Sequence, residues 1–129
     1  GVVAIFTHRM LVGEPVRIDW DGEQRKDYVY VGDIARANVL ALERGKNEVY
    51  CLGTGRPTSV NELYEQLSQT VGVRVPITRA PKRAGDVRLH YFDPKKAHEM
   101  LGWRAETGLE QGLEETVAYF RTVTEARAR

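Results

Sequence analysis

Two short clusters of charged side chains carry the residue types best suited to binding chemistry. The first is Arg25-Lys26-Asp27, and the second is the segment KRAGDVR, residues 82–88. Arginine grips phosphate oxygens in a bidentate manner, lysine does so as a point charge, and a carboxylate can accept hydrogen bonds from a ribose hydroxyl. Converging clusters of this kind would hold a sugar diphosphate, and two exposed charged loops are the alternative. The second cluster supplies Lys82, Arg83, Asp86 and Arg88.

Other reactive side chains match no catalytic or metal-binding pattern. The histidines His8, His90 and His98 lack the helical spacing with a glutamate that a metalloprotease needs, so we expect no metal site. Cys51 is the only cysteine, which excludes an internal disulfide and favours a reducing, cytoplasmic location. Because it follows Glu48-Val49-Tyr50 in a strand-like run, we expect it to be a small buried filler.

A short glycine-containing segment in the middle of the chain resembles part of a nucleotide-binding loop. Gly53-Thr54-Gly55 follows the strand-like run, as a dinucleotide loop would. However, Thr58 stands where the Gly-x-Gly-x-x-Gly pattern needs its third glycine, so we expect no dinucleotide site there. Ser59 has no evident histidine partner and is better placed to cap a helix than to act as a nucleophile.

Length and charge limit the class of protein. The sequence has 129 residues, of which 42% are hydrophobic and 29% charged, with a net charge of +1. We expect a single domain over residues 1–129, with a polar C-terminal tail over about 122–129 that frays. The near-neutral charge argues against nucleic acid or an anionic membrane as a partner, and no apolar run approaches the length of a membrane span.

Hydrophobic periodicity in the first half of the chain predicts the elements that position the first cluster. Apolar spacing of three and four predicts a helix over about residues 2–12, and Asp21-Gly22 marks a turn after a short strand. Residues 28–31 predict a second strand, and Asp33 is placed to cap a helix that ends near Gly45. The first helix would present the stripe Val3, Phe6 and Met10.

The second half repeats this alternation. Ser59 and Glu62 form a capping-box pattern ahead of an apolar stripe that stops at Gly72, and Asp93-Pro94 opens a short helix with Ala97, Met100 and Leu101 facing inward. Short strands alternating with four to five helices indicate a small α/β domain. These helices also present more apolar faces than a small sheet can cover, which suggests that the domain is half of a larger assembly. The apolar stripe that follows Ser59 comprises Val60, Leu63, Tyr64, Leu67 and Val71.

Four segments together resemble a known family. DGEQRKDYVYVGDIARANVLAL, EVYCLGTGRPTSVNEL, RAGDVRLHYFDPKKAHEMLGW and GLEQGLEETVAYF occur in this order over residues 21–120, and the resemblance extends over about residues 2–121. They resemble the C-terminal portion of NAD-dependent nucleotide-sugar epimerases and dehydratases, the extended short-chain dehydrogenase/reductases, and most closely the UDP-glucose 4-epimerase-like members. The resemblance implies the small substrate-binding domain of these enzymes, here without their NAD-binding Rossmann domain.

The resemblance also implies roles for single residues. It implies that Arg83 binds the nucleotide diphosphate and Asp86 the ribose, and that the position of Lys26 ordinarily holds a diphosphate-binding arginine. Arg25 is then an extra arginine before it. Two further departures lie just upstream, where Asp19 replaces an aromatic residue facing the nucleotide base and Trp20 replaces a glycine. These changes place uridine-diphosphate affinity in question.

The family's catalytic parts do not occur in this sequence. Its glycine-rich NAD loop is absent, and the one Tyr-x-x-x-Lys match, Tyr91 with Lys95, contains Asp93-Pro94 where the family pair lies along one helix. We therefore expect no catalytic residue and no cofactor site here, with NAD implied only for a full-length enzyme. The expected partners are a nucleotide-diphosphate sugar and either the missing NAD domain or a second copy.

Two other functions are also compatible with the sequence. A non-catalytic, self-associating interaction module would use apolar helix stripes left bare, and the departures at Asp19, Trp20 and Lys26 favour it. A nucleic-acid binder would use the basic side chains Arg79, Lys82, Arg83 and Arg88, but aromatic residues do not interleave them.

Overall fold

Helices and short strands alternate along residues 1–128, which the computed structural model describes; of residues 127 and 128 it describes only the backbone. The small mixed α/β class is confirmed. The described part of the chain contains five helices: α1 Val2–Leu11, α2 Val31–Arg44, α3 Val60–Val71, α4 Lys95–Leu101 and α5 Leu109–Ala128. It contains five strands: β1 Val16–Asp19, β2 Arg25–Lys26, β3 Thr58–Ser59, β4 Ile77–Ala80 and β5 Leu89–His90.

These elements fall into two units. Unit 1 comprises residues 1–24, 59–88 and 110–129, and unit 2 comprises residues 25–58 and 89–109. No helix among residues 1–128 is both long enough and apolar enough to cross a bilayer.

Unit 1 is built on a parallel strand pair together with helices α1, α3 and α5. β1 pairs with β4 so that Val16 lies opposite Ile77 and Asp19 opposite Ala80. α1 packs against α3, where the rings of Phe6 and Tyr64 meet edge to face. This core buries Phe6, Met10, Val16, Ile18, Leu63, Tyr64, Leu67, Val75, Leu113 and Val117.

The predicted stripes of α1 and α3 form this core. Ser59 and Glu62 make both bonds of the capping box, the five predicted apolar residues of α3 are buried, and Gly72 ends the helix in the left-handed conformation at φ +80°. Phe6 and Met10 are also buried. The expectation that the α1 stripe lies bare is therefore wrong, because α3 covers it.

Unit 2 joins α2 to α4. β2 pairs in parallel with β5, with Arg25 opposite Leu89 and Lys26 opposite His90. Trp103 is fully buried in the cluster between the helices, and its indole Nε1 donates to the carbonyl of Asp33 at 2.8 Å. The cluster contains Ala37, Ala97, Leu101 and Trp103, with Val29, Leu40, Tyr50 and Leu52 packed against it.

The predicted strand over residues 28–31 is wrong. The strand lies earlier, at Arg25–Lys26, because those two residues pair with β5, and α2 already begins at Val31. Tyr28 is partly buried in this segment, and because burial disfavours the charged form of its hydroxyl, the pKa of Tyr28 is raised to about 12. The aromatic and β-branched alternation therefore marks an extended, half-buried approach to the helix rather than a paired strand.

Asp33 does not cap α2. Tyr30 is the extended residue before the helix, and Asp33 lies within the first turn. The Asp33 carboxylate instead accepts hydrogen bonds from the backbone N–H groups of Glu106 and Thr107, at 3.1 and 2.9 Å, and pairs with Arg36 at 2.9 Å. It thus fastens the segment after α4 to the start of α2.

The segment around Cys51 also differs from expectation. Residues 48–55 form no strand in the described structure, and Cys51 is exposed rather than a buried filler. Alternation is nevertheless present, since Tyr50 and Leu52 pack on the Trp103 cluster. Met100, expected on the inner face of α4, is 37% exposed, whereas Ala97 and Leu101 are buried.

α5 runs through Ala128, so most of the predicted polar tail continues this helix. Alanine, glutamate and arginine have high helix propensity, which allows the helix to extend beyond its apolar stripe. Arg129 lies outside the described residues.

Candidate functional site

The segment after β4 folds into a turn that holds Arg83 and Asp86 together. The backbone N–H of Asp86 donates to the carbonyl of Arg83 at 3.2 Å, and the backbone N–H of Arg83 donates to Asp86 Oδ2 at 3.3 Å. Gly85 lies between them at φ +86°, in the left-handed region that glycine enters without strain. The turn after β4 therefore carries an exposed guanidinium and a carboxylate on one short loop.

Asp19, at the end of β1, lies against this turn. Its Oδ2 is 2.5 Å from Arg83 Nε, and its Oδ1 is 2.7 Å from Arg17 Nε. The Asp19 side chain is only 13% exposed, whereas that of Arg83 is 62% exposed. A largely buried carboxylate thus holds two arginines, one on each oxygen.

Trp20 follows in the left-handed conformation, at φ +60°. Its backbone N–H donates to the carbonyl of Ala80 at 2.7 Å, which continues the β1–β4 pairing by one residue. Arg88 Cζ lies 3.8 Å and Lys82 Nζ 4.3 Å from the ring centroid, both within cation–π range. The backbone conformation is one that glycine adopts freely, which fits the glycine that the resemblance implies at this position.

Asp21 completes the turn. Arg88 Nη1 lies 2.8 and 2.9 Å from its two carboxylate oxygens, and the backbone N–H of Glu23 donates to Oδ1 at 3.0 Å. The hydrogen bond from Glu23, followed by that from Arg88, lowers the pKa of Asp21. Asn61 Nδ2 donates to the Asp21 carbonyl at 3.0 Å, so α3 also supports this turn.

The first predicted cluster lies in unit 2. Lys26 is exposed on β2, and Arg25 Nη1 donates to the carbonyl of Pro57 at 3.4 Å. Asp27 has a different role, because its carboxylate accepts from the Thr54 hydroxyl and from the backbone N–H groups of Thr54 and Gly55, at 2.8 and 3.0 Å. Asp27 therefore organises the glycine turn.

The glycine turn does not fit a dinucleotide. The N–H groups that would face a pyrophosphate are already bound to Asp27. A Cβ on Gly53 would lie 2.7 Å from Asp27 Oδ2 and 2.8 Å from the Phe92 carbonyl, so this glycine permits a close approach within the protein. We therefore assign no NAD chemistry to this turn.

The formal Tyr-x-x-x-Lys match is not a catalytic pair in its geometry. Tyr91 precedes α4 and is 52% exposed, and Lys95 is the first residue of that helix. The two residues therefore do not lie along one helix face. Within residues 1–128, no group of His, Cys, Asp and Glu side chains is arranged to hold a metal ion.

The second charged cluster is thus brought together with Trp20 in unit 1, and Arg25 and Lys26 are neighbours in unit 2. Sequence reasoning missed Arg17 and treated Asp19 only as a departure from a pattern. Positions i and i+2 of a strand share a face, so Arg17 and Asp19 on β1 could have been paired from their spacing. Nothing in the sequence indicated that Arg83, more than sixty residues later, joins them.

Comparison with known proteins places this chain in a family. Residues 3–116 match the family described as GDP-mannose 4,6 dehydratase. A crystal structure of UDP-glucose 4-epimerase with UDP-glucose from Thermotoga maritima is 52% identical, with a TM-score of 0.93, over 96% of this chain and 40% of that one. The Thermus thermophilus UDP-glucose 4-epimerase, in complex with NAD, is 35% identical with a TM-score of 0.83, over 93% of this chain and 40% of that one.

Sequence relatives agree. The UDP-glucose 4-epimerase of Mycolicibacterium smegmatis is 38% identical over 122 residues, which is 94% of this chain and 39% of the relative. The chain belongs to the NAD-dependent nucleotide-sugar epimerase/dehydratase family. Within it, the chain covers the C-terminal portion, and it spans about two fifths of the length of the UDP-glucose 4-epimerases that it resembles.

Proposed function

We propose that residues 1–129 are the nucleotide-sugar-binding portion of a UDP-sugar epimerase. The observation that carries this proposal is the turn that holds Arg83 and Asp86 side by side across Gly85. A guanidinium and a carboxylate carried on one short loop offer complementary contacts to two neighbouring groups of one ligand, a diphosphate and a ribose.

Each residue has a definite part in the proposed binding. The exposed guanidinium of Arg83 donates charge-assisted hydrogen bonds to a phosphoryl oxygen. Asp86 uses its second oxygen, Oδ1, to accept from a ribose hydroxyl. Lys26 and Arg25 are proposed as further diphosphate contacts, and Trp20 as an aromatic contact to the nucleotide. The role proposed for these residues is binding, and the glycine turn takes no part in it, because Asp27 already occupies its N–H groups.

The wider setting belongs to the same proposal. Hydride transfer in epimerases of this kind is the chemistry of the nicotinamide cofactor, and we assign it to a separate part of the whole protein. A cytoplasmic location is proposed from the single, unpaired cysteine.

Titration with uridine diphosphate, followed by amide NMR shifts, tests the binding. We expect a dissociation constant on the order of 1 mM, which is about 4 kcal/mol, because the described residues supply only part of a pocket. Arg83→Ala removes a charge-assisted contact worth about 1.5–3 kcal/mol and should abolish detectable binding. Lys26→Arg should tighten binding, since a planar fork fits phosphate better than a point charge.

Arg74→Ala is the matched control. Arg74 is an exposed arginine of unit 1 whose guanidinium is held by Glu65, so its loss removes the same charge without touching the turn. Equal weakening by Arg74→Ala and Arg83→Ala would refute a specific role for Arg83. An absence of shifts near Arg83 or Lys26 at several times the expected dissociation constant would refute the proposal.

A self-associating interaction module is the second candidate, and one observation favours it. The outer face of α2 exposes Val31, Val39 and Leu42, with Leu42 89% exposed. Exposed apolar side chains grouped on one helix face are typical of a surface that is covered in an assembly.

A further inference from the structure

We propose that Asp19 is a built-in competitor for the diphosphate, and that it weakens nucleotide binding by holding Arg83 in the ligand-free chain. This inference rests on the proposed function, since it concerns the same arginine. It makes Asp19 a residue that sets affinity rather than one that touches the ligand favourably.

The geometry of the Asp19 carboxylate resembles that of a bound anion. Both oxygens are occupied, Oδ1 by Arg17 Nε at 2.7 Å and Oδ2 by Arg83 Nε at 2.5 Å. Two arginines around one anionic group are also the arrangement that a phosphate prefers. The carboxylate thus takes the position of an anionic ligand between these two side chains.

The two partners of the Asp19–Arg83 pair differ in exposure. Asp19 is the last residue of β1 and lies opposite Ala80, and the next backbone N–H, that of Trp20, also bonds to Ala80. Its side chain is 13% exposed, whereas that of Arg83 is 62% exposed. The carboxylate thus lies on a paired strand, while the guanidinium is on the solvent side, where a ligand can reach it.

An arriving diphosphate competes with Asp19 for Arg83. When Arg83 turns to the ligand, its short contact with Asp19 breaks and that carboxylate loses one of its partners. This cost lowers affinity, and removing the charge at position 19 relieves it.

Asp19→Asn tests the inference with little change of shape. Because the guanidinium of Arg83 is on the solvent side, we assign its pair with Asp19 about 1 kcal/mol, which corresponds to about a fivefold change in a dissociation constant. We expect Asp19→Asn to bind inorganic pyrophosphate and uridine diphosphate each about fivefold more tightly than the parent chain. In an Arg83→Gln background the same substitution should give no gain, because the arginine that it releases is gone.

Glu65→Gln is the matched control. Glu65 is a carboxylate of unit 1 that is also held by an arginine, Arg74, and its neutralisation changes net charge by the same amount. It should leave both dissociation constants unchanged. An equal gain from Glu65→Gln would show a general charge effect and overturn the inference.

The other outcomes are also decisive. The inference is overturned if Asp19→Asn binds pyrophosphate no better than the parent, if the gain persists without Arg83, or if neither protein binds at about 10 mM, ten times the expected dissociation constant. A pyrophosphate gain combined with no added affinity for uridine diphosphate supports the inference and refutes the nucleotide part of the proposed function. Failure of this inference and failure of the proposed function therefore give different experimental results.

A measurement on the parent chain covers the case in which Asp19→Asn does not fold. The Nε–H resonance of Arg83 should move on addition of pyrophosphate by more than that of Arg17, because Arg83 leaves the carboxylate and Arg17 stays. Equal shifts at the two side chains, or an unmoved Arg83 resonance at saturation, would overturn the inference.

Discussion

Asp33 shows how one carboxylate can join distant segments of a chain. Burial by itself would raise its pKa, but hydrogen bonds from Thr107, Arg36 and Glu106 outweigh that effect, so the pKa is lowered. The residue is 4% exposed. We expect Asp33→Asn to lower the free energy of unfolding at pH 7 by about 1.5–3 kcal/mol, the range for hydrogen bonds to a charged group.

The pH dependence gives a sharper test at the same residue. A carboxyl group whose pKa is lowered by folding stabilises the protein above its unfolded pKa, and this stability is lost as pH falls through the folded pKa. The difference between parent and Asp33→Asn in urea unfolding should therefore be largest near neutral pH and shrink below about pH 4. Glu48→Gln, at an exposed pair with Lys96, should have little effect. A constant difference from pH 7 to pH 3 would contradict this role.

Gly53 is a residue whose lack of a side chain matters. An added Cβ would lie 2.7 Å from the Asp27 carboxylate and 2.8 Å from the Phe92 carbonyl. Since the second atom is backbone, Gly53→Ala should lower stability by about 1–3 kcal/mol, as overpacking does. Gly108→Ala is the control, because nothing lies within 4 Å of its Cβ position. Equal melting temperatures for the two variants would contradict the close approach.

Among the elements, α3 depends on its own cap. The Ser59 hydroxyl accepts from the backbone N–H of Glu62 at 3.1 Å, and the Glu62 carboxylate accepts from the backbone N–H of Ser59 at 2.8 Å. Ser59→Ala should lower the unfolding free energy by about 0.5–2 kcal/mol. Ser68, on the same helix, is buried with no hydrogen-bond partner for its hydroxyl. Ser68→Ala should be neutral or stabilising, and the reverse order of the two variants in chemical denaturation would refute the cap.

The elements that could be predicted are those whose signals are local. The stripe of α3, its capping box and the glycine at its end lie within fourteen consecutive positions of the sequence, and the structure has all three. The strand at 28–31 was misplaced because a strand is defined by its partner. Alternation over 28–31 could not reveal that β5 pairs with Arg25 and Lys26.

The same distinction applies to the candidate site. Arg83, Gly85 and Asp86 lie within one loop, so a motif could identify them together. The ion pair between Asp19 and Arg83 joins positions on two different elements, and the hydrogen bonds from residues 106 and 107 to Asp33 do the same. Such long-range contacts require the tertiary structure, which the pattern of a single segment does not contain.

At the scale of the whole molecule, the distribution of exposed apolar side chains differs from what was expected. In the stripe of α1, Phe6 and Met10 are buried, while α2 in unit 2 exposes Val39 and Leu42, 55% and 89%, and Val49 is 81% exposed. Exposed apolar side chains grouped in this way favour burial against another protein surface.

We expect the 129-residue chain to self-associate through this α2 surface. Contiguous apolar surface exposed to water favours burial, and a dimer with a dissociation constant of about 1 μM would be nearly complete at about 100 μM protein. Leu42→Gln combined with Val39→Thr removes apolar side chains without a change of charge and should shift light scattering towards the monomer mass. Val73→Thr alters an exposed valine of unit 1 and should leave the mass unchanged. A monomeric parent chain at that concentration would contradict self-association, and equal dissociation by Val73→Thr would contradict the role of α2.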